Sequence, residues 1–258
     1  MKRLLTIFML LAGIATVTAA TIRVEKHVDE VEDGYNYWLA HPADTVGAKP
    51  VVIFLHGASL CGIQMERVKR YGSIHAVELG REVDAYIIAP QNPGGAWRPA
   101  KVKRVLDSVK AGYDIDTTRI YVVGMSLGGY GTIDFAAAYP DEVAAAVAIC
   151  GGGTVKDLSV LHKVPLWLIH GTADRAVSVR ESDRIADAIK QADSTASRLI
   201  YDRVTGMNHS QPARVFYLPE MYEWLFLHNL AEEERPLHET VHIDNALLQR
   251  AYRGLVWH

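Results

Sequence analysis

Arg119–Pro140 reads RIYVVGMSLGGYGTIDFAAAYP. The β-branched run Ile120–Val123 passes through a glycine-rich turn into residues with helical spacing. At the junction, Gly124-Met125-Ser126-Leu127-Gly128 has the form G-x-S-x-G. Serine suits turns and helix caps, so a purely conformational role would account for Ser126 alone. The surroundings say more. A sharp strand-to-helix bend needs small neighbours, and it lifts the Ser126 hydroxyl toward the carboxyl ends of the strands, where open α/β sheets bind ligands. The same bend puts Ser126 at a helix N-terminus, near free N–H groups and the positive end of the helix dipole.

A serine hydroxyl is a poor nucleophile until a base takes its proton. In a strand–Ser–helix architecture the partners follow in the order Ser, acid, His. The histidines downstream are His162, His170, His209, His228, His238, His242 and His258. His209 lies in GMNHSQP, a loop between the last short strand and a helix, where the base is expected. His170 closes a strand in IHG and reads as structural. For the acid, Asp174 in HGTADRAVSV falls just past a strand end and before a helix. A carboxylate there can fix the imidazole tautomer and stabilise the imidazolium. Asp183, Asp187 and Asp193 read as solvated helix face, and Asp202, inside a strand, is the rival. An oxyanion hole would use the N–H of Leu127 and one N–H from HGASLCG, His56–Gly62. Ala58 is preferred over Ser59 there, with His56 holding the loop.

Outward from the elbow, extended and helical stretches alternate. Thr21–Val28 and Tyr35–Pro42 read as a hairpin turning at Asp33-Gly34. Pro50–Leu55, Ala85–Pro90, Arg119–Gly124, Ala144–Ile149 and Pro165–His170 are continuous apolar runs, as in strands buried on both faces. Arg198–Val204 is shorter. Val68–Gly80, Val102–Ala111, Tyr130–Ala138, Arg180–Ala192 and Arg214–Leu227 carry helical periodicity. A hairpin followed by β-α alternation predicts an α/β fold: a mostly parallel eight-stranded sheet, an N-terminal antiparallel hairpin and helices on both faces. The catalytic domain is placed at 21–230. After the charged break EEERP, residues 231–258 form a C-terminal tail whose NALLQRAYRGLVWH could make one amphipathic helix. Docking on the core is its simplest role, and contact with a second copy the other.

Composition sets the class. The 258 residues are 49% hydrophobic and 22% charged, with net charge −3, and show none of the basic excess of a nucleic-acid binder. Lys2 and Arg3, the apolar run Leu4–Val17 and the small residues Thr18, Ala19 and Ala20 predict a signal peptide over 1–20. The apolar run is short for a membrane anchor. Export permits a disulfide, yet Cys61 and Cys150 alone read more simply as two small buried hydrophobes. No P-loop, G-x-G-x-x-G, H-E-x-x-H or paired C-x-x-C occurs, so the sequence predicts neither metal nor cofactor.

Five blocks occur in order: FLHGAS, IIAPQNPGGAW, IDTTRIYVVGMSLGGYGTIDFAAAYPDEVAAAVAICGGG, VPLWLIHGTADRAVSV and TGMNHS. Over Pro50 to about Leu230 they resemble the exported bacterial α/β-hydrolases of the predicted-peptidase and phospholipase/carboxylesterase-like group, and they are similar to feruloyl and acetyl-xylan esterases. The resemblance implies a Ser126, Asp174, His209 triad. It departs at Asn92, where such proteins often carry Cys after PQ, and at Cys61, which they often lack. A serine esterase is the leading expectation. A prolyl-oligopeptidase-like peptidase would usually carry a large domain ahead of the hydrolase core, and a catalytically dead binding protein would not need all three triad residue types in order. Only fifteen residues separate Ile149 from Pro165. With no lid inserted there, short or aromatic acyl esters, such as those on polysaccharides, are the expected substrates. Trp97, in NPGGAWRP, is the candidate stacking surface for a sugar or phenolic group, or else a core anchor for its loop.

Overall fold

A computed structural model describes residues 22–257. The expected signal peptide at 1–20 lies outside the described residues. Eight strands form one sheet: β1 (Val24–His27), β2 (Tyr37–Ala40), β3 (Lys49–Leu55), β4 (Tyr86–Pro90), β5 (Ile115–Met125), β6 (Ala145–Ile149), β7 (Leu166–Gly171) and β8 (Leu199–Val204). Their order is β1-β2-β4-β3-β5-β6-β7-β8. The β1–β2 and β2–β4 pairs are antiparallel, and every later pair is parallel.

The central strands are continuously apolar because both faces are covered. Along β3, Val51, Ile53 and Leu55 face one core while Val52 and Phe54 face the other. The first core is closed by α2 (Pro99–Gly112), α3 (Leu127–Ala138) and α4 (Arg180–Ala192), through residues such as Val105, Ile133 and Ile189. The second is closed by α1 (Ser73–Glu78) and α5 (Pro219–Phe226), through Ile74, Met221 and Trp224.

Several elements differ from the sequence expectation. Pairing of β1 with β2 ends at His27 and Tyr37, so residues 28–36 form a long connection, and Asp33-Gly34 is a local bend inside it. The helix expected over Val68–Gly80 is split into a 3-10 turn, Met65–Arg70, and α1. Gly72 breaks it with φ +93°, and a Cβ there would overlap the ring of Phe54. Likewise, Pro219 restricts Leu218 to extended backbone, dividing Arg214–Leu227 into the 3-10 segment Gln211–Tyr217 and α5. Strand β5 begins four residues earlier than expected, because its register against β3 shifts between Lys49 and Val51.

The tail is mostly irregular, with helix only at α6 (Asn245–Gln249), where Asp244 caps the N-terminus by accepting from Leu247 N–H. It docks on the second core through Ile243, Leu247, Leu248 and Ala251. Asp202 of β8 fastens it: the buried carboxylate accepts from Trp167 Nε1, His242 Nδ1 and Ile243 N at 2.9, 2.7 and 2.8 Å. Cys61 and Cys150 are both free thiols. No helix of the described residues is long and apolar enough to cross a membrane.

Candidate active site

Three loops at the carboxyl ends of the parallel strands bring the predicted residues together. Ser126 sits between β5 and α3 with φ +59°, a strained conformation for a side-chain-bearing residue. Close backbone approach explains the flanking glycines. A Cβ on Gly128 would overlap the Leu55 carbonyl oxygen of β3, and one on Gly124 would overlap that of Gly128. Ser126 N–H donates to Ile149 O of β6 at 2.8 Å, pinning the bend between its two neighbouring strands.

His209 arrives on the loop after β8. Asn208 shapes that loop, its Oδ1 accepting from the N–H groups of Ser210 and Gln211. Fully buried Met207 anchors it against Gly171, which has no room for a Cβ. The His209 Nε2 lies 3.0 Å from Ser126 Oγ, and its Nδ1 lies 2.6 Å from Asp174 Oδ2. A carboxylate on Nδ1 selects the Nδ1–H tautomer, leaving Nε2 free to accept the serine proton.

Asp174 is held by its own loop after β7. Its Oδ1 accepts from Ala176 N and Val177 N at 2.8 and 2.9 Å, and its side chain is buried. Burial opposes the charge, but the Val177 N–H, the His209 ring and the Ala176 N–H hold the carboxyl below the usual range. His170 stands behind, with Nε2 3.3 Å from Asp174 Oδ2 and 3.1 Å from Val177 O, and Nδ1 2.8 Å from Ser182 Oγ. Burial lowers its pKa, so it serves as a neutral strut, as the sequence suggested. Asp202, the rival acid, is committed to the tail. Cys150 also nears Asp174 and His209, with donor atoms of the three within 4.8 Å of one another. Burial raises the pKa of its thiol, which favours the protonated form over a metal-binding thiolate.

Leu127 opens α3, so its N–H has no intrahelical acceptor. Ala58 opens the 3-10 turn Ala58–Leu60 after β3, and its N–H takes no backbone partner among the described residues. The preceding Gly57 abuts Ser126: a Cβ there would lie 3.4 Å from Ser126 Cβ. His56 holds this loop. Its Nδ1–H donates to Gly57 O at 2.8 Å, and its Nε2 accepts from Asn92 N at 3.0 Å. Burial lowers its pKa to about 4, so it stays neutral. Asn92, flagged in the sequence only as a departure, also organises the next loop, with Oδ1 accepting from Gly94 N and Nδ2 donating to Gly95 O.

Trp97 is the correction. It is 4% exposed, its indole N–H donates to His56 O at 3.1 Å, and its ring packs edge-on to Tyr35 and His56 and against Gly131. No face is left for a ligand, so it anchors the loop. Trp97→Ala is therefore expected to cost about 3–5 kcal/mol of stability and to lower kcat/KM for acetate and feruloyl esters alike. Urea unfolding together with kinetics on both esters checks this; a loss confined to the feruloyl ester would restore the stacking role. Tyr71 is a residue that sequence reading missed. Its hydroxyl accepts from Gly57 N at 2.8 Å, placing a phenol beside the elbow. An aromatic next to Gly72 in a stretch read as continuous helix gave no signal of this.

Residues 95–210 match the model of the dienelactone hydrolase family, a span containing Ser126, Asp174 and His209. The chain is 30% identical over 129 residues to poly(3-hydroxyalkanoate) depolymerase C of Paucimonas lemoignei, covering 43% of this chain and 30% of that protein. It is 33% identical over 81 residues to a bifunctional acetylxylan esterase/xylanase of Neocallimastix patriciarum, covering 31% of this chain and 12% of that one. The matches thus span less than a third of either relative's length. A solved thermostable esterase superposes with a TM-score of 0.62 at 25% identity, covering 81% of this chain and 63% of the other. The chain has the α/β-hydrolase fold, and its resemblance to the esterases of that fold extends from the quoted blocks to these matches.

Proposed function

We propose that the chain is a serine carboxylesterase in which Ser126 is the nucleophile, His209 the general base and acid, and Asp174 the residue that orients and charge-stabilises the imidazole. One observation carries the reading: the relay of hydrogen bonds from Ser126 Oγ to His209 Nε2 at 3.0 Å and from His209 Nδ1 to Asp174 at 2.6 Å. As Oγ bonds to the ester carbonyl carbon, its proton passes to Nε2 and the carbonyl π pair moves onto oxygen. The N–H groups of Leu127 and Ala58 receive that oxyanion. Collapse expels the alcohol, which takes the proton from Nε2, and leaves an acyl-Ser126. Water, deprotonated by His209, repeats the sequence and releases the acid.

The proposed substrates are short or aromatic acyl esters, such as those decorating polysaccharides. The connection from β6 to β7 contains only the 3-10 turn Ser159–Lys163, with no inserted domain to shelter a long chain. Beside His209 an open groove of about 500 Å³, lined by Ala173, Arg175, Ala176, Asn208 and Ser210 and mostly apolar, leaves room for the alcohol part of the ester. The acetylxylan esterase/xylanase relative agrees with such a substrate. Residues 1–20 are proposed as an export signal, which would deliver the enzyme to the periplasm or beyond. The test is kcat/KM on acetate, butyrate, feruloyl and palmitoyl esters beside a peptide anilide. Acetate, butyrate or feruloyl should lead. A palmitoyl preference would refute the substrate class, and a preference for the anilide would favour a peptidase.

A further inference from the structure

We propose that the Tyr71 hydroxyl is a third oxyanion donor of the site, an inference that rests on the esterase reading above. Tyr71 follows the 3-10 turn Met65–Arg70, and its ring is fixed against Phe54 and Phe216, with centroids 6.2 and 6.5 Å away. This packing carries the phenol to the loop that bears Ala58. Gly57 is the spacer between phenol and nucleophile. A point at its Cβ position lies 2.7 Å from the Tyr71 oxygen and 3.4 Å from Ser126 Cβ, so phenol and serine approach the same side of Gly57 and a side chain there would collide with the phenol.

The hydrogen-bonding pattern gives the hydroxyl its direction. The Tyr71 oxygen accepts from Gly57 N–H at 2.8 Å. An oxygen that already accepts keeps its own proton for a further partner. Burial raises the phenol pKa against the opposing Gly57 N–H, so the proton is retained at neutral pH. During attack by Ser126 the Oγ–C bond forms, the carbonyl pair moves to oxygen, and the serine proton goes to His209. Tyr71 transfers nothing. It donates its O–H to the growing negative charge alongside Leu127 and Ala58. Accepting from Gly57 also fixes the height of the loop, so one side chain both holds the hole and contributes to it.

The two roles separate experimentally because ionisation moves them in opposite directions. A phenolate accepts from Gly57 N–H more strongly than a phenol but cannot donate. Tyr71→Phe, which keeps the ring packing, is expected to lower kcat on p-nitrophenyl acetate by about 100-fold with KM within about threefold. Replacing Tyr71 with 3,5-difluorotyrosine, a much more acidic phenol, should add an alkaline decline in kcat that the wild type lacks. The inference is overturned if Tyr71→Phe keeps its kcat within about threefold. It is equally overturned if the difluorotyrosine enzyme holds or gains activity as its phenol ionises, the behaviour of a loop-holding acceptor. A wild-type enzyme that neither hydrolyses the ester nor is labelled by a fluorophosphonate would refute the esterase reading itself, and the donor role with it.

Discussion

Ser126→Ala is expected to lower kcat for p-nitrophenyl acetate by a factor on the order of 10⁴ or more while leaving the circular dichroism spectrum unchanged. The fold should survive because Ala differs from Ser only by the hydroxyl, and the bend is set by backbone contacts: Ser126 N–H to Ile149 O and the tight seat of Gly128 against Leu55. His209→Ala should match it, and the double variant should be little worse than either single one, because a nucleophile without a base and a base without a nucleophile are equally idle. Additive losses would mean that the two residues do not act as a unit. Full activity in folded Ser126→Ala would end the mechanism.

Asp174→Asn is expected to cost about 10³–10⁴ in kcat, since an amide can donate to Nδ1 and so stabilise the tautomer whose Nε2 cannot accept. The informative partner is Asp202→Asn. Asp202 also holds a histidine, His242, at 2.7 Å, but that ring belongs to the tail. Its amide variant should retain activity and melt earlier. If Asp202→Asn abolishes turnover and Asp174→Asn is mild, the acid has been misassigned.

Much of the arrangement around Ser126 was legible in sequence because it is written in local chemistry. Gly124 and Gly128 mark the crowded bend, the loop position of His209 follows from a Gly/Asn/Pro cluster, and Asp174 lies just past the end of an apolar run. The both-face burial of β3, β4, β6 and β7 likewise produces unbroken apolar stretches with edges readable to within a residue. The break at Leu218 was local and legible in Pro219, but most of what failed depended on distant contacts. Periodicity carried a helix straight through Gly72, because the Phe54 ring that forces the break comes from β3. Trp97 looked like a stacking platform because its burial depends on Tyr35, His56 and Gly131, none of them its neighbour in sequence. The part played by Tyr71 was invisible for the same reason: its partner Gly57 lies fourteen residues upstream.

The Asp202 fastening has a meaning in time as well as in space. A ribosome makes β8 about forty residues before it makes His242 and Ile243, which lie 40 and 41 positions later. Until those residues emerge, the Asp202 carboxylate has one protein donor, Trp167, in place of three, and water must serve for the other two. The last strand therefore gains its full set of hydrogen-bond partners only once residue 243 has been made.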